Sequence, residues 1–189
     1  MVEKLEIFVH FDDKKAKLMK IVIDLIANLS SHKYRLDQFH KEKIALVILT
    51  LLETVDSYPQ ILMACIDTID SLCQNAEIEN YCVSEKKLPY ILIDVLKTQE
   101  DEKIVVKSTR LLTNLTINPV CIPYILEANL LSVLANIVLP HFSGNKLAAE
   151  QNKKMETYTL KIISRIYHAK QQKNLILKSG YLDCLIRTI

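Results

Sequence analysis

The chain has 189 residues, half of them apolar, with two glycines, five prolines, no tryptophan and a formal net charge of +2. That much apolar material supplies a continuous core and excludes a disordered chain, while two glycines leave nothing for a phosphate-cradling loop. The near-neutral charge lacks the strongly basic footprint of a nucleic-acid-binding domain.

Apolar residues recur at helical spacing throughout, which predicts an all-α protein. In chain order, Val2, Leu5 and Val9 share one helical face, and residues 14–30 form a long amphipathic helix with Asp12 or Asp13 as its N-cap. A short helix is expected near 32–41, a second near 43–54 and a third from Pro59 to about Gln74. Asp56 and Ser57 supply capping oxygens there, and Pro59 suits a first turn. The next helices fall near 77–85, 88–97 and 101–117, with Pro89 again in a first turn. A sharp break at Asn118 and Pro119 precedes a short helix closing near Asn129 and an apolar helix stopping at Pro140. Pro140, Ser143 and Gly144 make a loop, after which Leu147, Gln151, Met155 and Tyr158 resume helical spacing.

These helices repeat. The helix ends IANLSS, IDSLCQ, LTNLTI and ISRIYH superpose on Leu29, Leu72, Leu115 and Ile166, spaced 43, 43 and 51 residues apart. Eleven residues before each anchor stand Leu18, Ile61, Ile104 and Met155; three before stand Ile26, Ile69, Leu112 and Ile163. Nineteen after come Ile48, Ile91, Leu134 and Leu185, and twenty-three after come Leu52, Val95, Val138 and Ile189. Projected back by 43, the same register places Val2, Leu5 and Val9 in the closing piece of an earlier unit. The step from Val138 to Met155 is eight residues longer than its counterparts, so an insertion over 140–153 lengthens the last long helix at its start. The remainder of it is a loop or a projecting partner contact. One domain over 1–189 results, with partial repeats at 1–30 and 170–189 and full repeats at 31–74, 75–117 and 118–169. Apolar half-repeats at both ends predict an excerpt from a longer solenoid or, alternatively, end-to-end self-association.

The period and three-helix layout, with the NL endings of IANLSS and LTNLTI, resemble the armadillo repeat of the armadillo and HEAT superfamily. That family carries a glycine between first and second helices, where this chain has Lys43, Lys86, Asn129 and Gly180; Gly180 matches, Asn129 is tolerable and the two lysines depart. The resemblance implies a right-handed α-solenoid whose third helices stack side by side and line a groove for an extended or helical partner segment. The groove ridge runs through Lys17, Ile21, Asp24 and Asn28, then Gln60, Ala64, Asp67 and Ser71. It continues through Lys103, Lys107, Arg110 and Asn114 to Lys154, Tyr158, Lys161 and Arg165. Armadillo import adaptors place tryptophans four residues before the asparagine of NL. Here those positions are Asp24, Asp67, Arg110 and Lys161, which disfavours binding of basic import signals.

A β-catenin-like use, with a basic groove taking an acidic peptide, suits the later half better. The expected partner-binding residues are Asn28, Lys103, Lys107, Arg110, Asn114, Lys154, Tyr158, Lys161 and Arg165. Solvated surface charge is the competing explanation, since single exposed pairs contribute little. Charge reversal at Lys107, Arg110 and Lys161 is expected to weaken binding and leave melting unchanged. Asp67 and Asp70 are expected to be an exposed acidic face.

The five cysteines at 65, 73, 82, 121 and 184 contain no CxxC pair, and the five histidines have no HxxxH or HExxH spacing. No nucleophile with a base, carboxylate pair in a cleft or metal set is legible, so the protein is expected to be non-enzymatic and free of cofactors. The longest apolar run, Ile44 to Leu52, is about half a membrane span. Acidic residues at positions 3, 6, 12 and 13 are unlike a signal peptide, and reduced thiols fit cytoplasm or nucleus. The expected function is a protein–protein interaction scaffold. An architectural or oligomerisation module is the alternative, and a nucleic-acid-binding solenoid a weaker one because the basic residues lack interleaved aromatics.

Overall fold

The computed structural model describes residues 13–30, 41–55, 58–134, 137 and 149–169, and among these every regular element is helical. The helices are α1 (Asp13–Ser30), α2 (Lys41–Thr54), α3 (Pro59–Leu72), α4 (Ala76–Asn80), α5 (Leu88–Thr98) and α6 (Glu102–Leu115). After them come α7 (Ile122–Glu127), α8, of which 130–134 and 137 are described, and α9 (Ala149–His168). The expectations for residues 1–12, 31–40, 56–57, 138–148 and 170–189 lie outside the described residues.

The starts and stops follow from side chains that satisfy the unpaired N–H groups of a first turn. The Asn75 side chain accepts from the N–H groups of Glu77 and Ile78 at 3.0 and 3.3 Å, opening α4. Asp101 accepts from Lys103 N–H at 2.8 Å and opens α6. Asn118 accepts from Val120 N–H at 3.1 Å and opens a 3-10 turn over Pro119–Cys121 that leads into α7. Pro59 and Pro89 sit in the first turns of α3 and α5, where a missing N–H costs nothing. Relative to Ile166, α9 starts four residues earlier than α3 and α6 do relative to Leu72 and Leu115.

The turn between first and second helices differs from the expected one in a single residue. Asn129 has φ 63°, a left-handed conformation, fourteen residues after Leu115. In the unit before, the left-handed residue is Lys87 at φ 53°, one position beyond Lys86. The extra residue is taken up by Tyr81–Glu85, wound as a π turn whose wider ring is closed by Lys86 N–H donating to Tyr81 O at 3.2 Å. Holding a lysine in that region costs roughly 1–2 kcal/mol. Lys43 stands inside α2, so the first unit has no left-handed residue at that station.

The anchors Leu72, Leu115 and Ile166 are all buried, as are Ile61, Ile104 and Met155 eleven residues before them. Ile48, Ile91, Leu134, Leu52 and Val95 join the same core. Leu18 departs from its equivalents and is exposed. Each long helix packs on the next of its kind: α1 on α3, α3 on α6, α6 on α9. Behind this row, α2 packs on α3, α5 on α6, and α2 on α5. Buried threonines do not break the row because Thr68, Thr109 and Thr113 donate to carbonyls one turn back at 2.7–2.9 Å.

Candidate functional site

The ridge of the row α1–α3–α6–α9 carries the expected partner-binding residues. Asn28, Lys103, Asn114, Lys154 and Lys161 are exposed, and Lys107, Arg110, Tyr158 and Arg165 are half-buried. Ala64 is an exception on this ridge, since it is buried.

The middle of the ridge is already engaged. The Lys107 ammonium donates to the Asp67 carboxylate of the preceding helix, and the Arg110 guanidinium reaches Asp67 at 3.4 Å and Asp70 at 2.9 Å. The Asn114 amide donates to the other oxygen of Asp70 at 2.8 Å. Asp67 and Asp70 are thus partners in an inter-helix ladder, and an idle acidic face is not what they form. Their side chains are 40 and 17% exposed, so water only partly screens the attraction. Charge reversal at Lys107 and Arg110 would set glutamates against these aspartates, which overturns the expectation that melting stays unchanged.

Arg165 also turns inward. Its guanidinium donates to the Thr113 carbonyl and to Thr116 Oγ1 at 3.2 Å, at the C-terminal end of α6, where the helix dipole favours a cation. Lys154 pairs with Glu150 at 2.8 Å within α9. Among the described residues the ridge cations Lys17, Lys103, Lys161 and Arg165 form no ion pair, and of these Lys103 and Lys161 flank the ladder on α6 and α9 with no hydrogen-bonded side-chain partner. A second bridge links the first helices: the Asn118 amide donates to Glu79 at 2.8 Å and lies 3.4 Å from Asn80 Oδ1. Sequence reasoning missed both bridges. The available signal was inverted charge at one station, since Asp67 and Arg110 each stand five residues before an anchor.

Away from the ridge, a cleft of about 540 Å³ lies between α2, the π turn and α5. Glu53 and Asp94 line it with Lys86, Lys87 and Tyr90 over a floor of Leu52, Ile91 and Val95. The four described cysteines are free thiols. Burial pushes Cys65 and Cys121 up to about 12, and a hydrogen bond with Cys82, then burial, raises Cys73. Such thiols are poor nucleophiles at neutral pH. No group of three or more His, Cys, Asp or Glu among the described residues is placed to hold a metal, and no described helix is long and apolar enough to cross a membrane. The chain matches no protein-family model, no curated protein and no solved structure.

Proposed function

We propose that the protein is a right-handed, armadillo-like α-solenoid acting as a non-enzymatic protein–protein interaction scaffold, and that it holds a partner segment along the ridge of α1, α3, α6 and α9. The observation carrying this reading is the consecutive packing of those four helices, with cross-helix bonds at separations of 40–52 residues, close to the repeat spacing. The partner segment carries acidic residues, recognised by Lys103 and Lys161 at the rims of the ladder rather than by Lys107 and Arg110 within it. Two cations on adjacent helices select a short acidic stretch, and exposed pairs of this kind contribute about 0–1 kcal/mol each. The rest of the affinity comes from backbone and apolar contacts along the ridge.

Fluorescence anisotropy with a library of labelled peptides that mix Asp or Glu with apolar residues tests this. The tightest binder is expected to lose about 3- to 30-fold on Lys103→Glu/Lys161→Glu, and affinity to fall as salt rises. Melting should be unaltered, because neither lysine is paired. Absence of any acidic binder, or undiminished affinity in the double variant, removes the proposal.

A further inference from the structure

Among the described residues, α1 and α9 expose apolar side chains at stations that α3 and α6 bury. The backward-facing side of a row helix is marked by the residues that reach the helix before it: Lys107, Arg110 and Asn114 on α6, Arg165 on α9. Helical spacing puts the stations eleven, eight and four before each anchor on or beside that face. In α3 they hold Ile61, Ala64 and Thr68, all buried. In α6 and α9, Ile104, Leu111, Met155 and Ile162 are buried, with Lys107 and Tyr158 half-buried among them. In α1 the same stations hold Leu18, Ile21 and Leu25, which are 63, 63 and 56% exposed.

The forward-facing side is marked by the groups that receive the next helix: Asp67, Asp70, Thr113 and Thr116. One turn along it is the station six before each anchor, where Ile23, Ile66 and Thr109 are buried. Leu160 occupies that station in α9 and is 56% exposed.

An interior junction sets a forward-facing side against a backward-facing one, so α9 and α1 present the two halves of one such junction. The halves also agree in chemistry. Ile21 stands where α6 has Lys107, so α1 needs no acidic helix opposite, and Leu160 offers it an apolar one. We infer that α9 of one copy docks against α1 of a second copy, head to tail, continuing the helix row from molecule to molecule. This rests on the repeat stacking of the proposed solenoid and is independent of the acidic ligand.

Each docking helix carries four cations against two acids, Lys14, Lys15, Lys17 and Lys20 on α1 and Lys153, Lys154, Lys161 and Arg165 on α9. Screening that repulsion strengthens the contact, so assembly increases with salt whereas acidic-peptide binding decreases. The opposite salt dependences keep the two proposals separable.

Sedimentation equilibrium of the full chain, from low micromolar to near-millimolar concentration and at two salt levels, is the test. The wild type is expected to grow in mass past the dimer, since a head-to-tail contact leaves a free face at each end. Leu18→Asp/Leu25→Asp and Leu160→Asp should each stay monomeric alone and form a particle of two copies when mixed, because each keeps the half that the other lacks. Ile21→Arg, a single exposed position, replaces the first variant if circular dichroism shows it unfolded. A wild type monomeric throughout, or one that stops at a dimer, overturns the inference. So does a mixture of the two variants that does not associate, or a fall in melting temperature on Leu18→Asp with no change in mass, which would mean that the chain's own residues cover α1.

Discussion

The junction of α3 with α6 and the junction of α6 with α9 join helices of one kind, yet they use different chemistry. The first is tied by two carboxylates facing an ammonium, a guanidinium and an amide. The second has one arginine laid on the end of α6, its charge met by a carbonyl and a hydroxyl. The apolar stations beneath both are nearly the same, with Leu112 and Leu115 buried at the centre. Packing therefore sets where the helices lie, and the ridge chemistry can vary without moving them.

The largest expected effect comes from removing what the junctions share. Leu115→Ala should destabilise by about 2–5 kcal/mol in urea denaturation, as a buried truncation does, and should loosen both junctions together. A cost below that range would mean the row closes around the cavity. A smaller effect isolates the difference between the junctions. In a double-mutant cycle, Asp70→Ala and Arg110→Ala should couple by about 1 kcal/mol, since Asp70 is mostly buried and Arg110 partly exposed. Raising the salt should reduce that coupling only in part. Zero coupling would make the ladder an ornament of the surface and return Arg110 to the set of groups available for a partner.

The core was legible because an apolar period declares itself: Ile61, Ile104 and Met155 are each buried where the spacing put them. The ridge was less so. A lysine on a helix face reads the same whether water or an aspartate 40 residues earlier receives it, and only the packed row decides. Lys107 and Arg110 thus looked free and are not, while Lys103 and Lys161 looked similar and form no ion pair among the described residues. The turn at Lys87 was hidden for another reason. A π turn adds a residue without changing local propensity, so no residue type in Tyr81–Glu85 announces it, and a lysine in the left-handed region contradicts the usual glycine signal.

The smallest expected effect concerns Ser108, two residues from Arg110 on the same helix. Its hydroxyl is fully buried and has no hydrogen-bond partner among the protein groups, whereas the neighbouring Thr109 donates to Val105 O at 2.9 Å. An unsatisfied buried hydroxyl costs about 1–3 kcal/mol, so Ser108→Ala should leave stability level or raise it by up to about 1 kcal/mol once the lost packing is deducted. The equivalent stations hold Val22, Cys65 and Thr159, none larger than a β-branched side chain, so an alanine fits the space. If thermal denaturation instead shows a clear loss, the hydroxyl is bonded after all. Polar ties would then extend from the ridge into the interior of α6, and the contrast between its two flanking junctions would have to be sought beneath the surface as well as on it.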